Sequence, residues 1–311
     1  MIPTRAQIDE AAELVGPHVR RTPVLDVDEG TFGVASPLTL KLELLQVTGS
    51  FKPRGAFNRM LSAHVGEAGV VAASGGNFGL AVGHAARELG HHAEIFVPST
   101  SPGSKIERVR ATGATVRVIE GYYDDASAAA SARQEESGAI WMHPFDQPEV
   151  VVGQGTIGRE LSEQVPEADT LLVSVGGGGL IGGIAAWFAG DARVVAVEPE
   201  TSTCLRSALR AGEPVDVEVS GIAADSLGAR RVGAIAFEVA RAHVGDALVV
   251  DDVAIRGAQR AIWRELRMVA EPGGATALAA LMTGAYRPST GERIVVLVCG
   301  ANADPAPVIA A

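Results

Sequence analysis

Short runs of apolar and β-branched residues alternate along this chain with longer, alanine-rich stretches of helical period. This alternation is typical of βα units, in which each strand of a parallel sheet is followed by a helix that covers it. The predicted strands are 38–43, 70–73, 92–97, 115–119, 139–142, 170–175, 193–197, 247–250 and 293–299. The predicted helices are 56–65, 78–89, 103–111, 124–136, 155–164, 179–188, 228–242, 253–267 and 275–282. Nine strands of this kind indicate an α/β protein with two sheets.

The segment 142–148 interrupts this alternation with turn-forming residues, Met-His-Pro-Phe-Asp-Gln-Pro. It is either a crossing between two lobes of the protein or an ordinary surface loop, and the pattern alone leaves both open. A chain of 311 residues is long enough for one large domain or two smaller ones with a substantial core.

Charge and cysteine content exclude several classes of protein. The formal net charge is -11, which disfavours nucleic acid and anionic membranes as partners, because both attract a positive surface. Cys204 and Cys299 lie far apart without metal-ligand spacing, which favours a reducing cytoplasm. Residues 1–10 are charged throughout and no apolar run is long enough to span a membrane, so we expect a cytoplasmic protein.

A lysine stands where a predicted strand gives way to a helix, in Gly49-Ser-Phe-Lys-Pro-Arg-Gly-Ala56. Pro53 suits the first turn of a helix, which places Lys52 at the mouth of a βα crevice, where ligands of open α/β sheets bind. Partial burial there would lower the pKa of the amine and suit it to Schiff-base chemistry. The alternative is an exposed loop lysine.

Two glycine-containing turns follow other predicted strands. In the first, Ser74-Gly-Gly-Asn77, the backbone amides and the Ser74 hydroxyl would form a small anion site that fits a carboxylate. The alternative is a helix N-cap made by Ser74 or Asn77.

The second turn is the tetraglycine Gly176–Gly179, which leads into a predicted helix. Residues without Cβ let several amides converge on one phosphate. The acidic residue that would hold a nucleotide ribose, Glu198, falls in a Glu-Pro turn, so a phosphate without a nucleotide is the better interpretation. A tight turn with close packing remains the alternative.

Together these segments resemble the fold type II pyridoxal-phosphate (PLP) enzymes, most closely the serine/threonine dehydratase and serine racemase branch. The resemblance covers nearly the whole chain and rests on the order and spacing of its motifs, which are 50–56, 74–77, 176–179, 198–200, 221–228, 271–275 and 298–302. It implies a tryptophan synthase β-like α/β fold, with PLP in the cleft between two open, twisted α/β domains. Residues 1–43 and 144–311 would form the large cofactor-binding domain, and residues 44–143 the small domain on the substrate side.

The resemblance also implies roles for individual residues. Lys52 would form the Schiff base with PLP, and Asn77 would hydrogen-bond the ring hydroxyl. The other residues implied at the cofactor are Phe51 beside the ring, Gly176, Gly177, Gly178, Gly179 and the Leu180 amide at the phosphate, and Cys299 at the pyridine nitrogen. Those implied at the substrate carboxylate are Ser74, Gly75, Gly76 and Asn77.

The implied activity is that of a lyase, a threonine/serine ammonia-lyase that converts a β-hydroxy amino acid to a 2-oxo acid and ammonia. A neutral thiol at Cys299 would not force protonation of the pyridine nitrogen, which favours elimination over a long-lived carbanion. Racemases of this branch carry a serine where Gly75 stands, and a glycine cannot deliver a proton. Serine racemisation and 3-hydroxyaspartate dehydration stay open as alternatives, as does a non-enzymatic phosphate-binding or nucleotide-binding protein.

Three further expectations come from the resemblance. Some relatives bind a divalent cation through an acid that matches Glu198, but their second acid corresponds to Cys204 here, which disfavours a magnesium or calcium site and leaves Glu198 as a weak candidate ligand. Phe78 stands where the family commonly has histidine, which implies a drier pocket wall. The family is usually dimeric, so a homodimer acting on a small amino acid is expected.

Overall fold

The computed structural model describes residues 2–309, in which helices and strands alternate from end to end. The strands are β1 Val24–Val27, β2 Leu38–Lys41, β3 Val70–Ala73, β4 Ala93–Pro98, β5 Thr115–Ile119, β6 Ile140–Met142, β7 Thr170–Ser174, β8 Arg193–Pro199, β9 Val244–Val250 and β10 Ile294–Leu297. The helices are α1 Arg5–Val15, α2 Pro53–Leu61, α3 Asn77–Glu88, α4 Gly103–Arg110, α5 Tyr123–Ser137, α6 Pro148–Gln164, α7 Gly179–Phe188, α8 Cys204–Ala211, α9 Ala224–Leu227, α10 Ala234–His243, α11 Asp252–Leu266, α12 Pro272–Met282 and α13 Ala306–Ile309.

The strands form two sheets. The larger has the order β1-β2-β10-β7-β8-β9 and is parallel except for β1, which pairs antiparallel with β2. The smaller has the order β5-β4-β3-β6 and is entirely parallel. The expected α/β class with two open sheets is confirmed.

Helices cover both faces of the larger sheet, and the central strands are accordingly apolar on both faces. In β7, Leu171 and Val173 face one apolar cluster with α6 and α7, whereas Leu172 faces another with α11 and α12. Because successive side chains of a strand point to opposite faces, a strand buried on both sides must be apolar at every position. This is why the central strands were the easiest elements to predict.

The nine predicted strands are all present, but several helices differ from prediction. Helix α6 begins at Pro148, seven residues before the predicted start. The predicted helix 228–242 is wrong in its first turns, since α9 ends at Leu227 and α10 begins only at Ala234. Residues 228–233 instead cross to the tetraglycine turn, where Gly233 N donates to the Gly177 carbonyl at 3.0 Å.

Elements that the alternation did not predict are mostly short or amphipathic: β1, α1, α8, α9 and α13. Helix α1 did carry a signal, because Thr4 and Gln7 form a reciprocal capping box. Within residues 2–309, no helix combines the length and apolarity needed to cross a bilayer.

Residues 142–148 connect the smaller sheet to α6, which packs on the larger one. The strands of the smaller sheet all fall between residues 70 and 142, and those of the larger sheet lie outside that range. The division of the chain into domains at 43/44 and 143/144 stays a prediction.

Candidate active site

A cleft of about 920 Å³ opens where strands of both sheets end. Its walls come from the turns that follow β3, β4, β6 and β7, together with Lys52 and part of segment 219–231. Because the carboxyl ends of parallel strands meet at one edge of a sheet, residues distant in sequence come together here.

Lys52 immediately precedes α2, whose first residue is Pro53. Its amine donates a hydrogen bond to the Pro144 carbonyl at 2.9 Å and lies 5.0 Å from the centre of the Phe51 ring and 5.7 Å from that of Phe78. Burial lowers the pKa of the amine to about 8, against the opposing effects of Cys299 and Glu271. About a tenth of the amine is therefore unprotonated at pH 7, far more than for an ordinary lysine, and is able to attack a carbonyl.

The chain has three lysines, and the other two are engaged elsewhere. Lys41 is fully buried and donates to Glu160 at 2.6 Å. Lys105 forms a 2.9 Å ion pair with Asp225 across the cleft. Lys52 is thus the lysine available for covalent chemistry in the cleft.

A buried charge cluster fixes the start of α2. Arg54, two residues after Lys52, is fully buried and bonds both Glu43 and Glu160 through its guanidinium group. Lys41 balances the second carboxylate. The sequence motif contains Arg54, but its partners lie in β2 and α6, so sequence reasoning gave it no role.

The turn after β3 presents backbone amides to the cleft. Ser74 Oγ accepts from Gly76 N at 3.3 Å, and α3 begins at Asn77 without a side-chain cap. A helix N-cap by Ser74 or Asn77, the alternative considered from sequence, is therefore not what the turn forms. The amides of the first turn of α3 keep no partner within the helix and are available to an anion.

Asn77 is held in one orientation by two side chains. Its Oδ1 accepts from Asn302 Nδ2 at 2.8 Å, and its Nδ2 donates to Glu271 Oε1 at 2.7 Å. Burial raises the pKa of Glu271 to about 6, with Asn77 as the largest opposing influence. The carboxyl is therefore mostly ionised at neutral pH, and Asn77 keeps one N–H free to donate.

Glu271 and Asn302 were part of motifs but had no predicted role. Only their places in the sequence could have pointed to a functional role: Glu271 directly precedes the Pro272 that starts α12, and Asn302 follows β10. Both bond Asn77, which lines the cleft, and only the fold shows that they meet it.

Gly75 lies against Ser101, which sequence reasoning did not consider. A Cβ on Gly75 would lie 2.6 Å from Ser101 Oγ and 2.8 Å from Val97 Cγ1. Gly75 does not have a positive φ, so crowding and not backbone strain opposes a side chain there. Ser101 follows β4 and places a hydroxyl in the space that the glycine leaves open.

The tetraglycine turn has its carbonyl groups engaged away from the cleft. The carbonyls of Gly176, Gly177 and Gly178 accept from Cys204 Sγ, Gly233 N and Gly182 N, respectively. Gly178 has φ +90°, the left-handed region that favours glycine, and α7 starts at the next residue. The amides of Gly179 and Leu180 are first-turn amides without intrahelical acceptors.

Packing requires glycine in this turn as well. A Cβ on Gly177 would lie 2.3 Å from the Phe145 ring, and one on Gly178 would lie 2.5 Å from Ala236 Cβ. The two interpretations of this turn, close packing and a phosphate site made of amides, are therefore compatible with each other.

Cys299 is buried beside Lys52. Its carbonyl accepts from Phe51 N at 3.2 Å, and its thiol lies 3.5 Å from the Gly273 carbonyl. Burial raises the pKa of the Cys299 thiol above its ordinary value, so the sulfur is neutral at physiological pH.

Glu198 lies in β8 and caps a helix. Its two carboxylate oxygens accept from the backbone N–H groups of Leu205 and Arg206, both at 2.8 Å, at the start of α8. Burial raises the pKa of Glu198 to about 7. Residues 2–309 contain no cluster of three or more potential metal ligands.

The cleft residues fit PLP in three independent respects. An amine with a lowered pKa can bond the aldehyde, an amide cradle with its carbonyls turned away can hold the phosphate, and a neutral thiol lies next to the lysine segment. Lys52 and Gly177 line the same cleft, and the buried Cys299 lies behind the lysine segment, bonded to Phe51.

Comparison with known proteins agrees with this assignment. Residues 15–300 match the family described as pyridoxal-phosphate dependent enzyme. The L-threonine ammonia-lyase of Thermotoga maritima is 34% identical over 97% of this chain and 76% of its own length. The biosynthetic L-threonine dehydratase of Escherichia coli is 35% identical over 96% of this chain, which spans only 58% of that protein.

The structure of maize serine racemase superposes with a TM-score of 0.93 at 34% identity, covering 100% of this chain and 97% of that one. The family match spans both sheets and includes Lys52, both glycine turns and Cys299. The chain therefore belongs to the family of pyridoxal-phosphate dependent enzymes.

Proposed function

We propose that this chain is a threonine/serine dehydratase that converts a β-hydroxy amino acid to a 2-oxo acid and ammonia, with Lys52 as the reacting amine. The observation that carries the proposal is the Lys52 amine, with a pKa near 8, in a cleft between two amide cradles. The threonine ammonia-lyase and threonine dehydratase relatives support the reaction class.

PLP, when bound, supplies the electron sink that makes the Cα proton of an amino acid removable. Lys52 Nζ holds the cofactor and then serves as the base for that proton, for which a pKa near the working pH is suited. The amides of 176–180 would hold the phosphate, and the free N–H of Asn77 would donate to the ring hydroxyl. Ser74 and the amides that follow it hold the substrate carboxylate.

The charge balance of the cleft supports a substrate with one carboxylate. Apart from Lys52, which the cofactor would engage, the cations among the cleft residues that the structure describes are paired: Lys105 with Asp225, Arg230 with Asp124 at 3.8 Å, and Arg231 with Asp216 at 2.8 Å. A second carboxylate, as in 3-hydroxyaspartate, would have to displace one of these partners. Threonine or serine is therefore preferred over 3-hydroxyaspartate.

Serine racemisation is the second candidate. The similarity to maize serine racemase and the Ser101 hydroxyl beside Gly75 favour it. The missing side chain at Gly75 opposes it, because protonation of Cα from the face away from Lys52 needs a donor within hydrogen-bond reach.

We also propose the division into a large domain, 1–43 with 144–311, and a small domain, 44–143, and a homodimer in a reducing cytoplasm. The domain division is supported by the family resemblance and the distribution of strands between the two sheets, the dimer by the resemblance, and the location by the two unpaired cysteines. Light scattering during size-exclusion chromatography measures the mass of the assembly, and a mass near 32 kDa would contradict the dimer.

Purified protein with PLP should form a 2-oxo acid and ammonia from L-threonine or L-serine, and much less from 3-hydroxyaspartate. The assay compares L- and D-threonine, L- and D-serine and 3-hydroxyaspartate at equal cofactor occupancy. No 2-oxo acid from any of them, or mainly D-serine from L-serine, would reject the dehydratase assignment.

A further inference from the structure

The segment that crosses between the two sheets, 143–147, bonds the Lys52 amine directly. The Pro144 carbonyl accepts from Lys52 Nζ at 2.9 Å. The position of this carbonyl therefore helps to decide where the amine sits, and the conformation of a five-residue segment decides the position of the carbonyl.

His143 folds this segment through one ring nitrogen. Its Nδ1 accepts from Asp146 N at 2.9 Å and from Phe145 N at 3.4 Å, which closes a tight turn around Pro144. The His143 backbone N–H donates to Gln147 Oε1 at 2.8 Å. Since Nδ1 is an acceptor, the ring proton lies on Nε2 and the ring is neutral.

The same turn is anchored to the larger sheet. Asp146 caps α10 by accepting from Ala234 N and Ile235 N, both at 3.1 Å. The Phe145 ring packs on Gly177 of the tetraglycine turn and meets the His143 ring edge-on, with 4.7 Å between ring centres. The turn thus links the lysine to the phosphate cradle.

Charge also connects His143 to Lys52. Burial lowers the pKa of His143; the nearby Asp146 opposes the shift and the Lys52 charge adds to it. A protonated ring would lose both Nδ1 acceptor bonds and would place a cation beside the amine.

We propose that His143 is a positioning residue that, through its neutral Nδ1, holds the Pro144 carbonyl against Lys52 and so keeps the amine in its partly buried position. The inference rests on the proposed role of Lys52. It assigns a function to a residue of the crossing turn that touches Lys52 only through its neighbour.

The test measures the reactivity of Lys52 in the full chain without cofactor. Trinitrobenzenesulfonate labels amines only in the unprotonated form, and the labelled Lys52 peptide is quantified by mass from pH 6 to 11, with Lys105 as internal reference. The variants are His143→Ala, which removes the acceptor, and His143→Asn, whose Oδ1 can accept from the same two amides. His84→Ala, another partly buried histidine, is the control.

The labelling rate of wild-type Lys52 should be half-maximal near pH 8. In His143→Ala the amine becomes more exposed to water, so the midpoint of its pH–rate profile should rise by a pH unit or more and its labelling rate at pH 7 should fall about 10-fold. In His143→Asn and His84→Ala the labelling rate of Lys52 at pH 7 should stay within about threefold of wild type, which corresponds to a pKa change of less than about half a unit. In the PLP-loaded protein, kcat should fall for His143→Ala and recover in His143→Asn.

Unchanged labelling of His143→Ala would overturn the inference, as would an equal loss in His143→Asn. Failure of the proposed function has a different signature: PLP followed by borohydride would not label Lys52 of the wild-type chain. The two results are independent, because amine labelling needs no cofactor.

Discussion

Replacing Arg54 with methionine should destabilise the protein strongly, although the residue contacts no ligand. The change removes a cation that bonds two buried carboxylates, Glu43 and Glu160, with N···O distances of 2.7–3.0 Å. Lys41 alone then faces two carboxylates, so one buried negative charge is uncompensated. Breaking a buried pair in this way costs about 3–5 kcal/mol of unfolding free energy.

Urea denaturation of the PLP-loaded protein measures the loss, and Arg59→Met is the control on the same helix. Arg59 pairs at 3.5 Å with the more exposed Glu149, so its loss should cost less than about 1 kcal/mol. The double variant Arg54→Met/Glu43→Gln removes one charge of each sign and should recover part of the stability. Equal destabilisation by Arg54→Met and Arg59→Met would refute the reasoning.

The difference in unfolding free energy between wild type and Arg54→Met should depend on pH, because Glu160 takes part in the cluster and titrates in acid. Burial alone would raise the pKa of Glu160, but Arg54 and Lys41 outweigh burial and hold it below the ordinary value. The stabilisation is therefore present above about pH 4.5, the ordinary value, and is lost as the pH falls through the lower folded value. The difference in unfolding free energy between wild type and Arg54→Met should therefore become smaller as the pH is lowered.

Three further predictions concern the reaction. Lys52→Ala should abolish turnover and the visible absorbance of lysine-bound PLP while circular dichroism stays unchanged; activity near wild type would remove Lys52 from its role. Cys299→Asp should slow elimination at equal PLP occupancy, because an anion favours a protonated pyridine; an unchanged rate would place Cys299 away from the ring. Gly75→Ser combined with Ser101→Ala, which relieves the 2.6 Å contact, should raise the ratio of D-serine to pyruvate in chiral chromatography. A folded, loaded double variant with an unchanged ratio would contradict the proposed geometry.

The central strands could be predicted from sequence because each is buried on both faces and so is apolar throughout. The start of α6 could not, since residues 148–154 include Gly153, which packs against α2 with no room for a Cβ. A glycine that lowers helix propensity is accepted there because close packing of two helices offsets the cost.

Some residues of the candidate site could likewise be predicted from sequence and others could not. Lys52, Ser74 and the tetraglycine turn were found from sequence, because each directly follows a strand or starts a helix and carries its own local signal. Glu271, Asn302, Ser101 and His143 were not assigned, since their roles come from neighbours up to 225 residues away, as for Asn302 and Asn77.

The sequence by itself determined the α/β class, the lysine and the phosphate turn, because propensity, apolar period and glycine content act over a few consecutive residues. Only the tertiary structure decided which partners each polar group meets. The Lys52 amine is partly buried and bonded to Pro144 because the two sheets bring the turns after β3, β6 and β7 to one cleft. The pKa of its side chain depends on those surroundings rather than on its own segment.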